Sequence, residues 1–311
     1  MVQADNFFLC SAHIHGFSAN DPSIYNMYSQ HGPTPRICFG FNKFDSQLAA
    51  HERRLATAIS LLSLNTLQEM ADRCSGVTEV PAGSVDKYGE TSHTIILVKR
   101  RGDSWARVSV EFITRNVEMT LRDRLRSEVQ ADRIRLYNYL ANAEASRPLA
   151  GVAYESLIQQ RIRASSSFRF NLVTMSRRQG KYARWRCNHA GAATRTEDIE
   201  RTKDGAFTAS PDVIIPNVYY APRYSNQAAF DSFILSGQQL FIFQFTISSA
   251  HDINKKITVF FSQESLPPRS NWHFVFVVPS TSEEVSCPHS EDADMIAFLN
   301  EVHLCSARVD P

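Results

Sequence analysis

FDSFILSGQQLFIFQFTISSAH, residues 230–251, places Asp231 and Gln244 on consecutive apolar strands, with Thr246 and His251 just beyond the second. Its aromatic and β-branched runs are strand-formers. A near-continuous apolar run also marks a strand buried on both faces, as in an α/β domain. Within such a strand an unpaired amide costs roughly 1–3 kcal/mol, so Gln244 needs a partner. Asp231 and Gln244 each carry an oxygen able to hold a hard divalent cation, and Thr246 shares a strand face with Gln244. The stretch therefore points to a metal-dependent phosphodiester site, the alternatives being a turn-capping aspartate, a core amide and a β-branched strand-former.

Upstream, VIIPNVYYAPR is a further β-prone segment, and downstream come the amphipathic KKITVFFSQ, the strand WHFVFVVPS and the terminal DADMIAFLNEVHL. Before these, GVAYESLIQQRIRA has helical spacing through Val152, Leu157 and Ile162, and residues 168–175 form a strand candidate. Residues 189–210 are polar and read as a loop. The succession of helix, strands, helix and strand predicts a small α/β domain over residues 150–311. Glu155, one turn into its opening helix, can close the metal site or align a water, or else face solvent. His251, Lys255 and Lys256 can contact phosphate or a leaving oxygen, or act as cap and surface groups.

Residues 1–149 read as a mainly helical α+β unit. Helical spacing runs over residues 44–71 and 118–143, with strand candidates at residues 92–98 and 106–112 between them. The arginines at 122, 124, 126, 133 and 135 are interleaved with Asp123, Glu128 and Asp132, the pattern of a salt-bridged helix surface.

The turn SRRQGKYARWR gathers Arg177, Arg178, Lys181, Arg184, Trp185 and Arg186, combining phosphate-binding cations with an aromatic surface for bases. A solvated basic hairpin is the plain alternative. The formal net charge of +1 supplies no global attraction to nucleic acid, so binding depends on such local surfaces. Six scattered cysteines in a 311-residue chain favour free thiols in a reducing intracellular compartment. Cys187 with His189 and Cys287 with His289 form two Cys-x-His pairs whose spacing departs from common zinc patterns. Neither a cleavable leader nor a membrane span is expected. GxxxxGK[ST], GxGxxG and GxSxG motifs are all absent, which excludes the corresponding phosphate-loop, dinucleotide and hydrolase-elbow chemistries.

GVAYESLIQQRI, FDSFIL, LFIFQFTISSAH and WHFVFVVP together resemble the C-terminal region of Crinkler-type effectors and the related retrotransposon hot spot proteins. The resemblance covers residues 150–280 and implies a restriction-endonuclease-like fold of PD-(D/E)XK type. Glu155 would be the helix glutamate and Asp231 the strand aspartate. Gln244 and Thr246 would stand where the wider superfamily has an acid and a lysine, and His251 would be the histidine that follows. Asp231, Gln244 and Glu155 would hold Mg2+ or Mn2+, and DNA would be preferred to RNA. GPTPRICFGF, residues 32–41, is similar to a segment late in the family's ATPase module, so residues 1–149 are expected to be an ATPase remnant or regulatory domain. A separate ATPase, a host protein and delivery to a host nucleus are the partners and location implied. Replacement of the acid and lysine leaves open a catalytically silent module that binds nucleic acid or a host protein.

Overall fold

The computed structural model describes residues 45–75, 95–101, 104–125, 128–178, 184–207, 210–222, 230–263, 265–287 and 292–311. The chain divides into two compact units, Met1–Leu149 and Ala150–Pro311.

In the first unit, α1 (Asp45–Leu61) and α2 (Leu64–Ser75) replace the single helix expected over 44–71. The break has a local cause: the Ser63 hydroxyl accepts from Thr66 N at 3.1 Å and caps a new helix. Strands β1 (Ile96–Arg101) and β2 (Ser104–Phe112) pair antiparallel, with Ile96 opposite Phe112. Thr114 then caps α3 (Arg115–Leu125) by accepting from Val117 N at 3.1 Å, and α4 (Gln130–Asn142) follows. The 118–143 pattern is thus two helices. Leu62, Leu67, Met70, Val110, Val117, Leu121, Leu136 and Leu140 are all buried in this unit. The segment 32–41 lies outside the described residues.

Helix α5 (Arg147–Ala164) tolerates Pro148 because a proline in the first turn removes no helical hydrogen bond. Strand β3 (Ser167–Thr174) follows, then β4 (Ser176–Arg178), β5 (Arg184–Asn188), β6 (Arg195–Glu200), β7 (Lys203–Phe207), β8 (Val218–Pro222), β9 (Ser232–Ser236) and β10 (Gln239–Phe245). After α6 (Lys256–Phe260) come β11 (Trp272–Val278), β12 (Glu284–Cys287), α7 (Ala293–Glu301) and β13 (His303–Arg308). Eight strands form one mixed sheet in the order β6-β3-β13-β11-β10-β9-β8-β7, and β12-β5-β4 form a smaller one. Strand β10 is antiparallel to β9 and parallel to β11, which is parallel to β13.

Residues 230–251 contain the two expected consecutive strands, which pair as a hairpin. Ser236 pairs with Gln239 across the two-residue turn Gly237-Gln238, where φ of +58° at Gly237 suits a residue without Cβ. Phe233, Leu235, Leu240, Ile242, Phe274 and Phe276 pack against Ile257 and Phe261 around α6 and against Met295 and Phe298 of α7. The opposite face carries Phe243, whose ring lies 5.3 Å from Phe170 and 6.1 Å from Phe168. Helix α5 lies on that second face, with Gly151 against Ile247 and Arg163 over the Tyr219 ring.

Residues 189–210, expected as a loop, supply β6 and β7 instead. Of β6 only Ile199 is buried, so its pairing with β3 is written in the backbone and in the Arg169–Asp198 ion pair (2.6 Å), not in an apolar pattern. The terminal segment is α7, capped by Asp292, followed by a strand inserted between β3 and β11. No helix among the described residues is long and apolar enough to cross a membrane.

Candidate functional site

Asp231 sits one residue before β9, just past the last β9–β10 pair, Ser232 with Phe243. Its own N–H donates to Phe243 O at 2.9 Å. Its Oδ2 accepts from Phe245 N and from Gln244 Nε2, each at 2.7 Å. The carboxylate thereby continues the ladder where β9 has ended, and supplies the partner that Gln244 requires. Charge-assisted bonds of this kind are short and strong, and two of them fix the carboxylate's direction. Gln244 contacts Asp231 through its nitrogen.

Ser232, the next residue, accepts from the Tyr219 hydroxyl at 2.8 Å. Tyr219 is fully buried, and burial pushes its phenol well above the usual range. The Ser232 bond and the Arg163 guanidinium oppose that shift, while the nearby charges of Glu155 and Asp231 add to it. Glu155 is buried, and its Oε1 accepts from Gln159 Nε2, one helical turn on, at 2.9 Å.

Thr246 is buried beyond β10, where its N–H donates to Val277 O at 3.0 Å and its hydroxyl accepts from Ser248 N at 3.0 Å. His251 is half-buried, with its ring 6.3 Å from that of Phe276, the β11 residue opposite Gln244. Lys255 is exposed, and its Nζ lies 3.8 Å from Asp292 at the start of α7. The structure therefore joins Asp231 directly to Gln244, while Glu155 is bonded to Gln159 within α5. His251 stands one aromatic ring away, and Lys255 turns to a helix cap. Gln159, Arg163, Tyr219 and Ser232 did not emerge from sequence reasoning. The four-residue spacing of Glu155, Gln159 and Arg163 was the available signal, because it aligns them along one side of a helix.

In the basic hairpin, the Arg177 guanidinium lies over the ring of buried Trp185 at 5.4 Å and donates to Asn300 at 3.2 Å. Arg186 pairs with Glu284 at 3.3 Å. Arg178 and Arg184 pair through their backbones across β4 and β5, and Lys181 lies outside the described residues. Cys187 and Cys287 are buried on β5 and β12, and burial pushes their thiols up to about 11 and about 12. His189 faces Ser306 at 3.1 Å, and His289 lies outside the described residues.

Two carboxylates and an amide are hard oxygen donors of the kind magnesium and manganese take. Among the described residues no group of three His, Cys, Asp or Glu side chains could hold a metal ion. Asp231 and Gln244, in contact with each other, supply one carboxylate and one amide of that kind. Compared with known proteins, the chain matches no family model, no curated protein and no solved structure.

Proposed function

We propose that residues 150–311 form a metal-dependent nuclease that hydrolyses phosphodiester bonds. The observation that carries this reading is the buried contact of Asp231 with Gln244, brought together where β9 ends beside β10, with Thr246 buried just beyond. The element order also supports it: the antiparallel strands β8, β9 and β10, then α6, then β11 parallel to β10. This resembles the arrangement implied by the restriction-endonuclease-like resemblance, with α5 as the helix that carries the glutamate.

Asp231 and Glu155 would hold Mg2+ or Mn2+, with Gln244 as an amide donor or as the group that orients Asp231. When bound, such a cation lowers the pKa of water and offsets charge on the phosphate. Water oxygen bonds to phosphorus, one phosphorus–oxygen ester bond breaks, and the departing oxygen takes up a proton. Phe245 N–H and Gln244 hold the Asp231 carboxylate in one orientation, so little reorganisation is needed during reaction. DNA is the substrate proposed from the family resemblance, and action as an effector inside a host cell comes from the same source.

Cleavage of supercoiled plasmid and single-stranded RNA by the purified chain, with magnesium, manganese or EDTA, tests the reading. Metal-dependent cutting lost in Asp231→Ala is expected. Equal cutting by a folded Asp231→Ala protein would overturn it.

A second reading, a catalytically silent binding module, is favoured by one feature. Gln244 and Thr246 stand where an acid and a lysine are expected, and their side chains are engaged by Asp231 and by the turn at Ser248. Tight, salt-sensitive binding without turnover would select it. In that case neutralising Arg177, Arg178 and Lys181 together should weaken binding and lower the salt slope by about one per lost phosphate contact.

A further inference from the structure

Between the last turns of α5 and strand β3 lies a pocket of about 240 Å3. Ile158, Ile162, Phe168, Phe170 and Val309 give it an apolar lining. Ile158, Ile162 and Phe170 are buried, whereas Phe168 and Val309 are half-buried and carry the apolar surface out toward solvent. The Phe168 ring meets Phe170 edge-on at 5.4 Å. Sites for larger ligands occupy roughly 300–1,000 Å3, so this pocket suits a single ring or branched aliphatic group.

The walls are held from three sides. Arg201 donates from Nη2 to Arg163 O at 2.5 Å and from Nε to Ser165 O at 2.8 Å, closing the end of α5. Tyr154 donates to Val309 O at 2.9 Å, and Val309 N–H donates to Val278 O at 2.9 Å. On β3, Phe168 is opposite Ile199 and Phe170 opposite Glu197 in the ladder with β6. A pocket framed in this way needs little ordering when a ligand enters.

Two arginines line the pocket and no carboxylate does. Arg169 is held by Asp198 through two bonds, at 2.6 and 3.1 Å. Arg161 is exposed, makes no ion pair among the described residues and donates from Nη1 to Asp310 O at 3.1 Å. A guanidinium has further N–H donors beyond that one. Ser165 and Ser167 add hydroxyls to the same lining.

We infer that this pocket binds a carboxylate bearing one compact apolar group, with Arg161 as the anion contact and the apolar lining around the body. The planar fork of a guanidinium matches a carboxylate, and no acid of the lining competes for it. The site is separate from the Asp231–Gln244 contact. Phe243, whose side chain alternates with that of Gln244 along β10, is the residue that meets Phe168 and Phe170. The pocket therefore lies on the other face of the sheet from Gln244, and its ligand is independent of the nuclease reading.

The test titrates the full chain with phenylpropionate and with phenylpropionamide, followed by ligand-observed NMR, with thermal melts for each variant. The acid is expected to bind with a Kd of about millimolar or below. The amide should bind roughly tenfold more weakly, because it loses the charge-assisted bond. Arg161→Gln should bring the acid down to the level of the amide, and Ile158→Phe, which fills the pocket, should abolish binding of both. If Ile158→Phe fails to fold, Arg161→Gln and the acid–amide pair decide. Acid and amide of equal affinity, an Arg161→Gln protein that holds the acid as tightly as wild type, a folded Ile158→Phe protein that still binds it, or no binding by wild type would each overturn the inference. Acetylglycylphenylalanine distinguishes the source of the carboxylate: tighter binding than the acid assigns it to a protein chain end, and weaker binding to a free small acid.

Discussion

At Asp231 a single carboxylate oxygen does two things that a substitution can separate. It satisfies Phe245 N–H, which no longer has a β9 partner, and it satisfies the amide of Gln244. Gln244→Glu would replace that amide donor with a second carboxylate at hydrogen-bond distance. Without metal, two like charges and a lost bond should cost about 1–3 kcal/mol. With magnesium, the added charge should strengthen binding and recover most of the loss. Thermal melts of the variant in EDTA and in magnesium check this, and equal melting temperatures in both would mean that no cation is held there. That Gln244 needs a partner was legible from sequence, because an amide in an apolar strand demands one; that Asp231 supplies it was not, since both residues read as metal donors. Tyr219 and Ser232 were not, since a tyrosine and a serine in strands carry no pattern until pairing puts β8 beside β9.

Among the elements, legibility followed burial pattern. Strands β10 and β11 are buried along their lengths and read directly from their apolar runs. Helix α5 showed its spacing, and Gly237 closes the hairpin. Strands β6 and β7 failed to show because they are the two edges of the eight-stranded sheet and bury few side chains. Strand β13 failed for the opposite reason: Cys305, Ser306 and Ala307 are buried but small, so they add little to any hydrophobic signal. In β7 a different constraint operates at Gly205. A Cβ there would lie 2.7 Å from Tyr220 Cδ1, 2.8 Å from its Cε1 and 2.9 Å from Val218 Cγ1. Tyr220 cannot swing aside cheaply, because its ring is stacked on Phe233 at 4.8 Å and its hydroxyl accepts from Ile215 N at 3.1 Å. Gly205→Ala should therefore destabilise the protein by about 1–3 kcal/mol, as overpacking does. Urea unfolding measures it, and an unchanged midpoint would show that β7 shifts away freely.

Over the whole molecule, buried titratable groups shape stability against pH on both sides of neutrality. His273, buried between the rings of Phe241 and His303, has its pKa lowered to about 4, by burial first and then by the charges of His303 and Arg195. Burial, and after it Arg308, lowers His189 too. A histidine depressed in the fold stays neutral there while the unfolded chain binds a proton. Stability is therefore full above about pH 6.5 and falls as pH drops toward 4. For His273 that loss is of order 3 kcal/mol. The thiols act oppositely: burial raises Cys187 and Cys305 to about 11 and Cys287 to about 12. Their contribution is whole below the ordinary thiol value and declines as pH climbs from about 9, where the unfolded chain ionises first. Melting temperature should thus peak between these limits and fall on either side. His273→Phe, which keeps a stacked ring but cannot bind a proton, should flatten the acid limb and leave the alkaline limb unchanged. Thiol titration of the native protein supplies the complementary measurement, because Cys187, Cys287 and Cys305 should react with a disulfide reagent only as fast as the fold opens. Rapid stoichiometric reaction of all three at neutral pH would contradict their burial, and an acid limb as steep in His273→Phe as in wild type would remove His273 as its source.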